Sequence, residues 1–322
     1  MIHRRKFVTS VGALAIAIAA GSAANAAGPY PVQRVNLVTH SSPGGGSDVF
    51  LRELIKYIPA SMKASFSVEN VRGGSGAKAM AFVAKAPADG SVFYATTPTH
   101  IQVTLLSKPA VGYEALDPIV IVFKDPQVLY TRADAPFKTL SDVIANAKNN
   151  PGKARWGASN PASEERIAME KLAKVAGVKV PIVSHEGGAD QMIGVLNGTF
   201  DIGIGEPQEL LAQLEAKKIR ILASLTDKRI PSAPNIPTAK ELGFNVVVNK
   251  FRGLAGPKGI PDATAAAIKD GIQAALDNPE YKKIYTQQGL IPSLMGRDES
   301  RAFIKQFATE VTADLKELGA LK

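Results

Sequence analysis

The chain has 322 residues, of which 45% are hydrophobic and 21% charged, an ordinary globular composition for about two domains. It contains no cysteine, which excludes a disulfide framework, a thiolate nucleophile, a cysteine metal site and a lipidated N-terminal cysteine. The formal net charge is +9, but the lysines and arginines are scattered among acids, so we expect no nucleic-acid partner. A modest positive field favours anionic ligands.

The first 26 residues have the layout of a secretory signal peptide. Residues 4–6 are Arg-Arg-Lys, residues 8–20 are small and apolar, and residues 24–26 (Ala-Asn-Ala) fit a cleavage site. The paired arginines resemble a twin-arginine motif, and export by the general secretory route is the alternative. An uncleaved anchor is less favoured because the apolar run is short for a membrane span. We therefore expect a processed chain that is free in the periplasm.

Beyond this segment, short apolar runs alternate with helical periodicity, which is typical of parallel βαβ units. The predicted strands lie at 35–39, 66–71, 92–96, 119–123, 128–131, 154–158, 182–184, 201–205 and 219–225. The predicted helices lie at 48–58, 140–147, 167–176, 190–196 and 208–217, and an Ala-rich run from residue 77 to residue 86 is also predicted to be helical. We further predict a return strand at 246–248, a crossing at 251–256 and a mostly helical segment at 261–322.

The alternation of strands and helices is interrupted at Asp125-Pro126 and then begins again. The chain therefore contains two similar α/β series, one before and one after this point. We predict that residues 27–125 together with 251–322 form lobe 1, and that the inserted residues 126–250 form lobe 2. The chain would then cross between the lobes twice, and paired crossings can act as a hinge. Small ligands usually bind in a cleft between two such lobes.

The first candidate binding segment, the glycine loop (residues 41–48), lies between a strand and a helix. In open α/β sheets, ligands bind beyond the carboxyl ends of the strands. Three consecutive glycines allow close approach of a ligand, and the following helix offers free N–H groups, with Ser47 or Asp48 expected as its N-cap. A tight turn without a ligand is the alternative. The predicted carboxylate-binding residues are Ser41, Ser42, Pro43, Gly44, Gly45, Gly46, Ser47 and Asp48.

Three further loops place polar residues at strand ends before helices. Asn160 and Pro161 are expected to form the N-cap and first position of one of these helices. For the three hydroxyls and the imidazole at 96–100, simple helix capping is an equally good interpretation. The candidate ligand-binding residues of these loops are Thr97, Thr99, His100, Ser159, Ser163, Arg166, His185, Gly187, Gly188 and Glu206.

An ordered set of short segments resembles the substrate-binding proteins of the tripartite tricarboxylate transporter family, also called Bug proteins. Each segment is weak alone, but the set spans nearly all of the chain after residue 26. The segments lie at 43–48, 69–70, 73–76, 86–90, 97–100, 151–153, 198–201, 237–243 and 252–257.

The resemblance implies an α/β, two-lobed periplasmic binding fold of type II (Venus flytrap) with two hinge crossings. It implies a small organic acid as ligand, held at 41–48 and 159–166, and delivery to membrane transporter subunits of the same family. A ligand-loaded receptor for a membrane sensor is an alternative. We expect a monomer without a cofactor or metal and without catalytic activity.

The loop at 159–166 departs from the family pattern, because Glu164, Glu165 and Arg166 stand where small polar residues are usual. Arg166 can pair a second carboxylate, and either glutamate can meet an amine or hydroxyl of the ligand. The favoured interpretation is that all three are charges on a helix surface.

Enzyme motifs are weak in this chain. It has no G-x-S-x-G elbow, Walker A or H-E-x-x-H motif. Residues 74–79 imitate a dinucleotide-binding loop but lack the following acid. Three histidines, His40, His100 and His185, flank loops at the proposed cleft and could together bind zinc. A periplasmic zinc enzyme is therefore an alternative, but the least favoured one. If the cleft binds a solute, Gly45→Val or Gly188→Val should abolish binding and leave the fold largely intact.

Overall fold

The computed structural model describes residues 29–185 and 187–321. The predicted signal peptide at 1–26 lies outside this range. Within the described residues, no helix combines the length and the apolar character that a bilayer span requires.

The described chain alternates strands and helices. The strands are β1 (Arg34–Thr39), β2 (Ser65–Asn70), β3 (Val92–Thr96), β4 (Leu116–Lys124), β5 (Val128–Arg132), β6 (Trp156–Ala158), β7 (Ile182–Ser184), β8 (Gly203–Gly205), β9 (Ile219–Ser224), β10 (Phe251–Pro257) and β11 (Ile291–Met295). The helices are α1 (Gly46–Leu54), α2 (Ala77–Ala84), α3 (Pro98–Ser107), α4 (Leu140–Asn149), α5 (Glu164–Ala176), α6 (Gly188–Leu196), α7 (Pro207–Glu215), α8 (Asp262–Asp277), α9 (Pro279–Gln287) and α10 (Arg297–Glu317).

The larger sheet has six strands in the order β11-β4-β10-β3-β1-β2. The strands β2, β1 and β3 are parallel, whereas β10 and β11 pair antiparallel with their neighbours. Apolar strand residues such as Leu37 and Phe93 pack with Leu51 of α1 and Ile272 of α8 in one core. Burial of these side chains fixes the register of the sheet, because a shift by one residue would expose them.

The inserted part of the chain forms a three-stranded antiparallel sheet, β8-β5-β9, and a parallel pair, β6-β7. A bridge from Trp156 to Ile202 links the two. Helix α5 buries Ala168 and Leu172 in the core around Trp156. It ends at Gly177, whose φ of 66° is the left-handed C-cap conformation that glycine adopts without strain.

The two crossings between the sheets run side by side. The chain leaves β4 at Lys124 and enters β5 at Val128, and it returns to the large sheet through Lys250. Asp125 N donates to Lys250 O at 2.9 Å, which joins the two crossings. Residues 251–256, predicted as a crossing, instead form β10 in the middle of the large sheet. Polar side chains at these crossings therefore lie at the floor of the cleft.

One other predicted element is wrong. The segment 246–248 is not a strand, although Val246 and Val248 are buried and Val248 N donates to Leu225 O at 2.8 Å. Apolar burial without a sheet partner explains this error. The segment at 261–322 is mostly helical, as predicted, and it also contains β11, an edge strand in which Pro292 is tolerated because no further strand of the described residues pairs there.

The helix starts also differ from the predictions. Helix α1 has Gly45 as its N-cap and begins before Ser47 and Asp48. Helix α5 is capped by Ser163, whose Oγ accepts from Arg166 N at 3.1 Å, so Asn160 is not the cap. Because hydroxyl and amide side chains cap almost equally well, neighbouring candidates cannot be ranked by residue type.

Candidate functional site

A narrow cavity lies between the lobes, where strand ends and the N-termini of α1, α3, α6 and α7 converge. Its volume is ≈ 40 Å³, enough for about three water molecules. The cleft is therefore closed in this conformation. The lining residues are His40, Ser41, Gly46, Ser47, Thr97, Thr99, Ser159, Asn160, Glu165, Gly187, Gly188, Ile204, Glu206, Glu209, Lys250 and Arg252.

The glycine loop turns the chain from β1 into α1. Gly44 adopts a φ of +81°, and its N–H donates to Asp48 Oδ2 at 2.9 Å. Asp48 also accepts from Arg52 Nε at 2.9 Å and Asn70 Nδ2 at 3.0 Å. The Asp48 carboxylate thus fixes the shape of the loop and does not line the cavity, in contrast to the prediction for this residue.

The loop delivers the N-terminus of α1 to the cleft. Gly46 N donates to the carboxylate of Glu209, which belongs to α7 on the opposite side. A Cβ at Gly46 would overlap the Arg252 guanidinium and the Glu206 carboxylate, so only glycine fits here. The helix end that was predicted to hold a ligand carboxylate is thus occupied by a carboxylate of the protein itself.

The histidines of the large-sheet side are neutral. His40 Nδ1 hydrogen-bonds Tyr94 Oη at 2.8 Å, and burial, aided by Lys250, lowers the pKa of His40 to about 3. Burial also lowers the pKa of His100 to about 4, and its Nδ1 bonds the Thr97 carbonyl. His40 lines the cavity, whereas His100 lies behind it.

A buried ionic network forms the floor of the cleft. Arg252 Nε donates to Asp125 Oδ2 at 2.6 Å, and Arg252 Nη1 donates to Ser47 Oγ at 2.7 Å. Lys250 Nζ pairs with both Glu165 and Glu206. Arg252 and Asp125 are 1% and 0% exposed, so each charge depends on its partner.

Opposite charges decide the ionisation within this network. Burial alone disfavours the charged form, yet Lys250 and Arg252 hold the pKa of Glu206 well below its usual range. In turn Glu165 and Glu206 raise the pKa of Lys250 against the effect of burial. Burial raises the pKa of Asp125, although Arg252 opposes this. Lys250 and Glu206 are therefore both charged at neutral pH.

Glu209, in the first turn of α7, behaves differently from Glu206, the N-cap residue of the same helix three positions earlier. Burial, and then the charge of Glu206, raise the pKa of Glu209 well above its usual value. The two carboxyl groups hydrogen-bond each other. At neutral pH the pair therefore holds one proton, as two adjacent buried carboxylates commonly do.

The loop after β6 turns two of its three charges inward. Glu164 and Glu165 are buried, so the interpretation that they are surface charges is wrong. Glu164 accepts from Gln102 Nε2, and Glu165 accepts from Ser159 Oγ at 2.9 Å. Arg166 is half-buried outside the cavity, where its Nε donates to Glu170 Oε1 at 2.6 Å and its Nη1 to Ile182 O at 2.9 Å. Only Glu165 of these three lines the cavity.

Within the described residues, several buried polar atoms around the cleft have no hydrogen-bond partner. They are Ser42 Oγ and Thr97 Oγ1 on the large-sheet side, and Asn160 Oδ1 and His185 Nε2 on the other. An unpaired buried polar atom costs about 1–3 kcal/mol, so its persistence needs an explanation such as a bound polar group. Both sides of the cleft thus present free hydrogen-bonding capacity.

The structure brings together about half of the predicted site residues. Those that line the cavity are Ser41, Gly46, Ser47, Thr97, Thr99, Ser159, Gly187, Gly188 and Glu206. Ser42 and His185 lie beside it with an unpaired polar atom each. The residues that do not line it are Pro43, Gly44, Gly45, Asp48, His100, Ser163 and Arg166.

Sequence reasoning missed Asp125, Glu209, Lys250 and Arg252. A signal was present for the two cations, since they flank Phe251 at the start of an otherwise apolar segment. Charged side chains in such a segment are seldom buried without a partner. Glu209 had a weaker signal, its position one helical turn after Glu206.

Metal binding has little support in the described residues. Within 29–185 and 187–321, no group of three or more His, Asp or Glu side chains is arranged to hold an ion. His40 and His100 are engaged by Tyr94 and by the Thr97 carbonyl. The His185 ring contacts Phe200 in a tilted arrangement, with ring centroids 5.2 Å apart and an angle of 57° between the ring planes. The three histidines therefore do not converge.

Comparison with known proteins agrees with this geometry. The family described as Tripartite tricarboxylate transporter family receptor matches residues 52–319. Protein BugT of Bordetella pertussis is 25% identical, over 95% of this chain and 95% of that protein.

Two solved structures share the fold. The periplasmic binding protein BugD has a TM-score of 0.85 at 23% identity, over 91% of this chain and 100% of that chain. R. palustris Rpa4515, solved with adipate, has a TM-score of 0.85 at 24% identity, over 90% and 98%. The predicted α/β, two-lobed periplasmic binding fold is confirmed. Because the family match covers most of the sequence, the chain belongs to the tripartite tricarboxylate transporter receptor family, the Bug proteins.

Proposed function

We propose that the protein is a periplasmic solute-binding protein without catalytic activity. It captures a small carboxylate-bearing solute between lobe 1 (27–125 with 251–322) and lobe 2 (126–250), and delivers it to a tripartite tricarboxylate-type membrane transporter. Its family membership supports this role, and adipate in the related R. palustris structure supports the class of solute.

The observation that carries the proposal is the convergence of both lobes on one polar cleft. Unpaired buried polar atoms belong to Ser42 and Thr97 on one side of the cleft, and to Asn160 and His185 on the other. The helix N-termini around them carry N–H groups without intrahelical partners, which favour an anion. A solute that satisfies both sides binds the closed form better, and this differential affinity drives closure.

The closed cleft must open before a solute enters. Its ≈ 40 Å³ is far below the ~300 Å³ of an ordinary ligand site. Contacts across the cleft hold it shut, among them Gly46 with Glu209 and a rim ion pair between Arg72 and Asp190 at 3.2 Å. In this mechanism the solute replaces the inner contact and keeps the outer one.

A thermal-shift screen of the refolded protein against small carboxylates tests the proposal. Refolding removes any solute retained during purification. A ligand at ~100 times its Kd stabilises the fold by about 2.7 kcal/mol, which raises Tm by a few degrees for a chain of this size. A shift with one class of carboxylate supports the function. No shift across the panel, combined with a shift by zinc, would refute it in favour of a metal protein.

A further inference from the structure

The charges of the cleft do not suit a simple diacid, and this deepens the function proposed above. Among the described residues, the cleft and its floor hold the carboxyl groups of Asp125, Glu165, Glu206 and Glu209. The cations there are Lys250 and Arg252. With one proton shared by Glu206 and Glu209, the buried group retains one excess negative charge.

Neither cation is free to receive a second anion. Lys250 Nζ lies between Glu165 and Glu206. Arg252 pairs with Asp125, and its Nη2 lies 3.5 Å from Glu206 Oε2. A dicarboxylate enclosed here would add two negative charges in a region of low dielectric, where uncompensated charge is costly. The opposite wall offers only hydroxyls, N–H groups and neutral His40.

The Glu206–Glu209 pair lies where a bridging solute has to sit. Glu209 accepts from Gly46 N of α1 on one side of the cleft. On the other side, a Cβ at Gly188 of α6 would lie 2.7 Å from Glu209 Oε2. Glu206 is 2% exposed and lines the same cavity. The pair thus stands between two helix N-termini that belong to different lobes.

We propose that the solute is a zwitterion, and that its protonated amine takes the place of the proton shared by Glu206 and Glu209. The ammonium N–H groups then donate to both carboxylates, and the displaced proton leaves to solvent. Gly46 N is released from Glu209 and becomes available to the solute carboxylate. One solute bound releases one proton, so the enclosed group becomes one charge more negative, whereas a bound dicarboxylate would make it two charges more negative.

Other titratable and charged groups that surround the pair belong to several elements. They are Asp125 and Lys250 at the crossings, Arg252 on β10, Glu165 on α5 and Tyr130 on β5. Burial raises the pKa of Tyr130 still further above its usual value, so its hydroxyl stays protonated. Lys250 and Arg252 keep their charge. Glu209 is therefore the group that changes its protonation when an amine binds.

Isothermal titration with matched acids tests the proposal. Each diacid is compared with the amino acid of equal carbon number: succinate with 4-aminobutyrate, glutarate with 5-aminopentanoate, adipate with 6-aminohexanoate. Aspartate and glutamate cover α-amino acids. We expect at least one amino acid to bind ten times more tightly than its diacid. Titrations in phosphate and Tris buffers should show release of about one proton per solute at pH 7.

The outcomes separate the two proposals. Tighter binding of a diacid, or amino-acid binding without proton release, would overturn the zwitterion proposal and leave carboxylate capture intact. Binding by no member of the panel would overturn both.

A variant in the pair provides a second test. Glu209→Gln should weaken amino-acid binding at least tenfold and abolish proton release, because glutamine cannot ionise to pair with the ammonium group. Diacid binding should change little, because glutamine is neutral like the protonated Glu209 of the unliganded protein. Glu215→Gln, at the exposed end of the same helix, is the matched control and should bind like the wild type. Unchanged proton release in Glu209→Gln would contradict the assignment, and the wild-type titrations stand even if this variant folds poorly.

Discussion

The two walls of the cleft provide polarity by different means. The lobe 1 wall presents the hydroxyls of Ser41 and Thr97, backbone N–H groups and neutral His40, with no acidic side chain among its described lining residues. The lobe 2 wall presents Glu165, Glu206 and Glu209. The comparison teaches that the two walls can have different tasks. Backbone N–H groups on one wall can bind a carboxylate, while a few ionisable side chains on the facing wall select among carboxylates.

Removing the guanidinium at the floor between the walls should have the largest effect. Arg252→Met leaves Asp125, which is 0% exposed, as an uncompensated buried charge, and should lower the free energy of unfolding by about 3–5 kcal/mol. Urea denaturation measures it. The control Arg301→Met removes a 47% exposed partner of Asp117 and should cost less than about 1 kcal/mol. Equal losses would show that burial does not distinguish the two arginines.

A bulky residue between the walls should stop them from meeting. A Cβ at Gly187 would overlap Ser42 Oγ across the cleft, so Gly187→Val should favour the open form and weaken solute binding at least about a hundredfold, nearly 3 kcal/mol. X-ray scattering should show a larger radius of gyration, with Tm within a few degrees of wild type. Gly296→Ala, with only ordinary contacts at 3.5 Å and beyond, is the control. An unchanged radius would refute the role of this contact.

A buried carboxyl group next to the acidic wall, that of Glu164, should give the stability of the protein a pH dependence that the neutral wall does not. Burial raises the pKa of Glu164 from 4.5 to about 7. A carboxyl whose pKa is higher in the folded state stabilises the fold below its unfolded pKa, and this contribution is lost as pH rises toward 7. Glu164→Gln should therefore become more stable relative to wild type by about 1–3 kcal/mol between pH 5 and pH 8.

Unfolding curves at several pH values measure this difference. The partner Gln102 keeps an amide oxygen to bond in the variant, so the packing is matched. Parallel stability curves for the two proteins would show that Glu164 is charged throughout and would contradict the expectation.

The rim pair between the walls should have the smallest effect. Arg72 and Asp190 are 41% and 43% exposed, so Arg72→Ala should change solute affinity by no more than about 1 kcal/mol. The effect should fade at high salt, since exposed charges are screened over about 10 Å at 0.1 M. Lys56→Ala, in an exposed pair remote from the cleft, serves as the reference. A salt-independent loss would indicate that the rim pair is part of the enclosed site.

Most of the fold was predictable because apolar periodicity and turn residues agree along the chain. The strands at 92–96 and 182–184 match their predicted limits, since each is a short apolar run between turn signals. The error at 246–248 has a physical reason: burial produces the same apolar run whether or not the backbone pairs in a sheet. The strand β11 was hidden because proline and serine interrupt its pattern.

The site was predictable only where backbone N–H groups at a helix N-terminus form part of it. Glycines before a helix identify an N-terminus that faces a cleft, and Gly46, Gly187 and Gly188 do line the cavity. Side-chain chemistry depends on pairs far apart in sequence, such as Arg252 with Asp125, 127 residues away. No local pattern shows that such residues neutralise one another, so the buried network appeared only with the tertiary structure.

The contact of Gly46 with Glu209 also bears on the speed of capture. A binding protein that shuts on its own carboxylate meets solute only during its open intervals, and its apparent Kd rises in inverse proportion to the open fraction. The rate of solute binding then depends on how often the hydrogen bond between Gly46 and Glu209 breaks, as well as on the rate of collision with solute. The occupancy of such a protein follows the solute concentration averaged over time. A brief rise in solute concentration leaves most of the protein empty, whereas a sustained rise loads it.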